Sequence, residues 1–414
     1  MTNFELLAPA GDFECLLSAI KFGADAICLG TTSFGMMAVA ANFNFDLLEE
    51  SVKLAHSQGV KIYLTCNTIP LNDEVAKLKE FLQNAQEIGV DGLIVADLGV
   101  FFEAKKVAPK LNLHVSTQFG VVNHKTANAL FELGAKRVVL ARELSLADIK
   151  TIRQQTPKEL ELECFVHGAM CVSFSGRCLI SQYMLGRDAN RGQCAQPCRW
   201  SYGLVERTRP GEVFEIVETD RGSHILNSKD LCLIKRLKEL KAAGISSLKI
   251  EGRAKSAYYV GVVTNAYRTV IENGLEVAPW VLEEVEKVSH RPYCEGFLFE
   301  KPNATATQNQ HYKTGGYVRA YDVVARVEEL VDGLLSCTQK NKFYLGDELE
   351  LVLPKKPPTL IKVEKLFDEK FNLIESAPHA QMKLFIKTNL DRARYSNLEL
   401  EGCFLRKSVK KAEL

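Results

Sequence analysis

No run of apolar residues in this chain approaches the ~20 needed to cross a bilayer, so none of its 414 residues is expected to lie in a membrane. The chain has no bias of charge either. Its 52 Lys and Arg balance 51 Asp and Glu, and the overall net charge points to no class of partner. It lacks internal repeats and low-complexity segments. Two hydrolase signatures are also missing, the His-Glu-x-x-His of zinc peptidases and the Gly-x-Ser-x-Gly nucleophile elbow. The first residues, Met-Thr-Asn-Phe-Glu-Leu-Leu-Ala-Pro-Ala-Gly, read as a strand rather than as a secretory leader. A cytoplasmic protein with reduced thiols is therefore expected.

Cysteine, by contrast, is plentiful. Five of the twelve cysteines (Cys171, Cys178, Cys194, Cys198 and Cys232) fall within 62 residues. Clustered thiols in a chain without disulfides more often hold a metal or a redox centre. Zinc prefers paired cysteines two to four residues apart, twice over, and only Cys194 and Cys198 approach that spacing. An iron–sulfur cluster, whose corners spread over a larger volume, tolerates scattered ligands. Cluster, zinc and incidental thiols all remain open on spacing alone. Cys15, Cys28, Cys66, Cys164, Cys294, Cys337 and Cys403 sit in apolar surroundings and read as small buried hydrophobes.

Short apolar runs alternate with amphipathic helical patterns. The strand candidates are 5–9, 26–29, 61–66, 92–96, 113–117, 137–141, 160–166 and 247–250. Gly23, Gly59, Gly89, Gly134 and Gly244 stand at helix ends, and Asp12, Asn123, Ser145 and Asn227 at helix starts. Eight strand–helix repeats predict a closed (β/α)8 TIM-like barrel over residues 1–290. The helix pattern before the eighth strand covers 229–243. A Cys-rich loop, 168–228, follows the seventh strand and is far longer than an ordinary connection. Residues 291–316, rich in Gly, Pro, Asn and Thr, read as a linker. Residues 317–414 show short alternating runs and turn signals that predict a small antiparallel β-barrel.

Barrels of this class place chemistry at the C-terminal ends of their strands. The polar residues there are Asn67, Asp97, Gln118, Arg142, Glu143, His167, Glu251 and Arg253. His167, Glu251 and Asp97 are candidates for proton transfer or metal binding, each with a plain structural role as the alternative. Arg142, Arg177 and Arg253 could fork a carboxylate, with Asn67 and Gln118 as further substrate contacts. Six Arg against two acids from 177 to 209, and eight Lys and Arg against four acids from 383 onward, form two local basic segments. The second includes Arg406, Lys407, Lys410 and Lys411, which could grip phosphates.

The stretch Glu163-Cys164-Phe165-Val166-His167-Gly168-Ala169-Met170-Cys171, followed by Gly176-Arg177-Cys178-Leu179-Ile180-Ser181, resembles the signature of the collagenase-like peptidase family of unassigned catalytic type. Asn190-Arg191-Gly192-Gln193-Cys194, Pro197-Cys198-Arg199-Trp200, Leu6-Ala8-Pro9-Ala10-Gly11 and Lys249-Ile250-Glu251-Gly252-Arg253 fit the same family. The resemblance spans nearly the whole chain. It is strongest with a branch that hydroxylates tRNA uridine at the wobble position in a prephenate-dependent way. It implies a 4Fe–4S cluster on Cys171, Cys178, Cys194 and Cys232, with Cys198 as an alternate ligand. It also implies tRNA and prephenate as partners. The family's other implied activity is proteolysis, dependent on a metal such as zinc or on a thiol.

Overall fold

The structure is a computed structural model that describes residues 4–35, 43–200, 204–205, 213–214, 228–252, 254–299, 317–390 and 394–409. Strands β1 (Glu5–Ala10), β2 (Ala26–Leu29), β3 (Lys61–Cys66), β4 (Gly92–Val95), β5 (Asn112–Val115), β6 (Arg137–Val139) and β7 (Glu161–Ala169) pair in sequence order. After the two-residue strands β8 (Leu204–Val205) and β9 (Val213–Phe214) come β10 (Asp230–Cys232) and β11 (Ser247–Ile250). Strand β11 lies parallel between β7 and β1 and closes an eight-stranded parallel barrel with flanking helices. The strands are nearly continuous apolar runs because both of their faces are covered.

Local chemistry sets the helix ends as the sequence suggested. Asp12, Asn123 and Ser145 accept hydrogen bonds from the backbone amides of Cys15, Thr126 and Asp148. The five helix-terminal glycines all have positive φ. Asn227 lies outside the described residues.

Two departures shape the rim. The helix expected over 229–243 begins instead as β10, which pairs antiparallel with the last turn of β7, Asp230 opposite Ala169 and Cys232 opposite His167. A 3₁₀ turn, Ile234–Arg236, and a short helix, Leu237–Ala242, follow. Pairing with the extended end of β7 overrides local helix preference here. The segment read as a linker also starts in the sheet. Strand β12 (Tyr293–Cys294) pairs with β10, and Arg291 is only 2% exposed. Cys294 is correspondingly half-buried, whereas the other six cysteines read as hydrophobes are buried.

The barrel interior is partly ionic. Arg137 at the start of β6 is 4% exposed and bonds Glu5 at 2.6 Å, Glu163 at 2.9 Å and Glu161 at 2.6 Å. Burial alone would raise the Glu5 carboxyl, but Arg137 outweighs it and holds the group below the usual carboxylate range. The ring of His114 packs edge-on against Tyr63 at 4.5 Å, and burial beside Arg137 and Lys249 pushes its pKa well down.

Contacts divide the chain into two compact units, one comprising Met1–Leu16, Ala24–Lys255 and His290–Tyr317, the other Leu17–Gly23, Ser256–Ser289 and Val318–Leu414. The second contains a closed antiparallel barrel of β13 (Tyr321–Val331), β14 (Leu334–Gln339), β16 (Glu348–Val352), β17 (Thr359–Asp368), β19 (Lys383–Thr388) and β20 (Phe404–Ser408). The pair β15 (Phe343–Tyr344) and β18 (Ser376–Ala377) stands beside it. Strand β20 carries the basic end that sequence offered to phosphates. Arg406 is instead 0% exposed, bonding Glu284, Glu350 and Tyr258, and Lys407 pairs with Asp347 at 3.2 Å. Lys410 and Lys411 lie outside the described residues.

Candidate active site at the barrel rim

The loop after β7 is pinned by its own polar side chains. Asn190 brackets Cys178: its Oδ1 accepts from the Cys178 amide at 3.3 Å and its Nδ2 donates to the Cys178 carbonyl at 3.1 Å. Ser181 is fully buried and its Oγ accepts from the amide of Ala195, next to Cys194, at 3.1 Å. Two backbone amides point at sulfur, Ser173 N–H at Cys171 Sγ and Gln196 N–H at Cys194 Sγ, each at 3.4 Å. Gly176 and Gly192 take the positive φ that the turns require, but the amides that reach sulfur are those of Ser173 and Gln196. The Ser173 amide aimed at Cys171 favours that residue's thiolate.

Four of the five clustered thiols feel one another. Partial burial raises the Cys171 thiol, and Cys178 and Cys194 raise it further against the opposing pull of Ser173 N–H and Arg142. Burial likewise raises Cys198, opposed by Arg199 and reinforced by Cys171, Cys194 and Cys178. Cys232 lies opposite His167 on β10. Among the described residues no three His, Cys, Asp or Glu side chains are already arranged as a metal cage. The donor set is nonetheless all sulfur, gathered in one loop and met by backbone amides, which suits an iron–sulfur cluster better than a hard cation. Buried Cys28 and Cys403, by contrast, are driven by burial to about 11 and about 12 and have the character of inert core thiols.

His167 does not stand open at the rim. A register shift places Ile250, not Glu251, opposite it, and such a bulge re-aims the side chain. The ring is fully buried, 3.3 Å from the Tyr293 hydroxyl, and Tyr293 in turn stacks on His290 at 4.3 Å. Burial, with His290 and Lys255 adding, depresses His167 to about 3. It is a neutral imidazole at physiological pH.

Glu251 and Arg142 meet at 3.7 Å, and Arg142 also donates to the Ala169 carbonyl at 2.8 Å and lies 3.8 Å over the Phe165 ring. Gly168, at φ +105°, makes this approach possible, since a Cβ there would stand 2.3 Å from the Glu251 carbonyl oxygen. Asp97 caps the helix Leu98–Val107 through Val100 N–H at 3.0 Å. Asn67 is half-buried after β3, Arg177 is exposed, and Arg253 lies outside the described residues. Gln118 is 4% exposed at the end of β5.

The sequence reading missed a cationic group beside the loop. Arg199 donates to Tyr317 Oη at 2.8 Å, while Lys255 and Arg291 lie 4.2 Å and 5.2 Å from the Tyr317 ring. Burial lowers Lys255 to about 8, and the neighbouring Arg199 and Arg291 push the same way, against Asp230 and Glu251. Only the side-chain types carried a signal for this cluster, because its outermost members lie more than a hundred residues apart.

The pattern that defines Peptidase family U32 matches residues 11–308, and that of its C-terminal domain matches residues 319–398. The chain belongs to peptidase family U32. Its relatives in that family carry several names. It is 36% identical over 408 residues to the tRNA hydroxylation protein P1 of Bacillus subtilis, covering 96% of this chain and 94% of that one. It is 39% identical over 274 residues to the 23S rRNA 5-hydroxycytidine C2501 synthase of Escherichia coli, covering 66% of this chain and 40% of that one. It is 28% identical over 406 residues to the collagenase of Porphyromonas gingivalis, covering 92% and 94%. Among the described residues of this U32 chain, no helix is long and apolar enough to cross a membrane.

Proposed function

We propose that this chain is an RNA hydroxylase that forms 5-hydroxyuridine in the anticodon region of tRNA. A 4Fe–4S cluster and prephenate, or an organic acid like it, serve as its cofactor and co-substrate. The observation that supports the reading is that the loop thiols of Cys171, Cys178, Cys194 and Cys198 lie near enough beside the barrel rim to influence one another electrostatically. Cys171, Cys178 and Cys232 hold the cluster, with either Cys194 or Cys198 as fourth ligand. Replacing the C5–H of uracil by C–OH with an oxygen atom from water releases two electrons and two protons, and a cluster held there would pass the electrons one at a time to an external oxidant.

The chain's own side chains do the rest. Asn190 and Ser181 fix the positions of Cys178 and Cys194. Phe174, Tyr183 and Trp200 on the same loop are exposed and offer faces on which bases stack, while exposed Arg177 and Arg187 attract phosphates. Lys255, Arg199 and Arg291 bind the carboxylates of the acid, whose charge relieves the mutual repulsion of the three cations. Arg142, already engaged by Glu251, orients that carboxylate at the rim.

The peptidase reading has less support. A thiol nucleophile at Cys171 needs a base, and the buried His167 bonds Tyr293 instead. The test is mass spectrometry of tRNA nucleosides from cells lacking the gene. Loss of hydroxyuridine, restored by the wild-type gene, is expected. Unchanged hydroxyuridine would remove the reading.

A further inference from the structure

One corner of the rim holds buried polar atoms with no hydrogen-bond partner among the described residues. Both the oxygen and the nitrogen of the Gln118 carboxamide are buried without a hydrogen bond. So are Ser175 Oγ and Glu143 Oε2. The three residues come from the ends of β5 and β6 and from the Cys-rich loop. Ser175 N–H donates to Glu143 Oε1 at 2.8 Å, and Ser175 is held at φ 51°, a strained backbone for serine. The turn Thr117–Phe119, which carries Gln118, packs on the turn Phe174–Gly176. A Cβ on Gly120 would stand 3.3 Å from the Phe174 ring and 3.7 Å from Ser175 Oγ. Native proteins rarely leave such groups unmet, because each is costly. A carboxamide with neither end satisfied, at the catalytic face of the barrel and under the cysteine loop, is built to meet a ligand.

We infer that Gln118 reads the base edge of the uridine that is modified. The inference rests on the function proposed above. A primary amide presents a donor and an acceptor side by side, which complement the O4 acceptor and N3–H donor of uracil. The Gln118 nitrogen donates to O4 and its oxygen accepts from N3–H. A base drawn out of its stack is read on this edge. The contact leaves C5 of the ring uncovered and free to face the rim. Ser175 and Glu143 line the same corner, and the Phe174–Gly176 turn shifts to admit the base.

The test pairs a protein change with an RNA change. Anaerobically purified holoprotein binds synthetic anticodon stem-loop RNA carrying either uridine or N3-methyluridine at the wobble position. The methyl group deletes the donor that Gln118 meets. Wild-type protein is expected to bind the uridine RNA about tenfold to a hundredfold more tightly than the methylated one. Gln118→Leu is expected to bind both equally. Because the amide has no partner among the described residues, Gln118→Leu is also expected to melt no lower than wild type. Retained discrimination in Gln118→Leu overturns the inference, as does a marked fall in its melting temperature, which would mean that the amide bonds within the protein. Neither outcome bears on the nucleoside measurement, which tests hydroxylation independently.

Discussion

Replacing Gly168 by alanine tests the geometry that joins β7 to Glu251. Gly168 has φ +105°, and a Cβ would meet the Glu251 carbonyl oxygen at 2.3 Å, its carbonyl carbon at 3.0 Å and its own Cβ at 3.0 Å. Two of those three atoms are backbone, so the neighbour cannot swing away. Gly176 makes a control, because it has φ +74° but a Cβ placed there would meet nothing within 4 Å. Left-handed backbone costs an L-residue about 1–2 kcal/mol, and this is the whole penalty at Gly176. Gly168→Ala adds an overlap costing about 1–3 kcal/mol, for a total of roughly 2–5 kcal/mol. At about 2–4 °C per kcal/mol for domains of this size, Gly176→Ala is expected to lose only a few degrees and Gly168→Ala clearly more. Thermal unfolding followed by circular dichroism reads both. Equal melting temperatures for the two variants would refute the close approach of Gly168 and Glu251.

Three other outcomes follow. Arg406→Ala removes the guanidinium from buried Glu284 and half-buried Glu350 and leaves them Lys287 at 3.2 and 3.1 Å, so chemical denaturation should show a loss at the lower end of about 3–5 kcal/mol. The folded pKa of His114 is depressed below the 6.5 of an unburied histidine. Its stabilising contribution is therefore complete above pH 6.5 and is lost as pH falls below it, because the unfolded chain takes up the proton first. His114→Asn should flatten that acid limb in melting temperatures measured against pH. Asn190→Ala removes two hydrogen bonds to Cys178 at about 0.5–1.5 kcal/mol each. Iron retention after anaerobic gel filtration should fall, with the melting temperature changed by only a few degrees.

The barrel was legible because its strands are short apolar runs and the helices between them end at glycines with positive φ, a pattern that local chemistry enforces. The strands predicted over 26–29, 61–66 and 247–250 have the observed bounds. Strands β10 and β12 were not legible. Their pairing with the end of β7 is tertiary, and 229–243 taken by itself has a helical pattern. The closing strand β20 was hidden for a related reason, since its buried Arg406 reads as surface charge until its acidic partners are in place. At the site, sequence located the rim residues but not their engagements. Asp97 as a helix cap, Arg142 on Glu251 and the re-aimed His167 emerge only once the chain is folded, as do the Lys255 cluster and the unmet amide of Gln118.

Iron and acid-labile sulfide, counted per chain in protein purified without oxygen, test the central claim most directly. The account expects about four of each, with broad absorption near 400 nm. It also expects loss of both in Cys171→Ser, Cys178→Ser and Cys232→Ser, with Cys194→Ser and Cys198→Ser showing which sulfur is the fourth ligand. A colourless chain that holds zinc or no metal, and keeps its activity after Cys171→Ser, would contradict it.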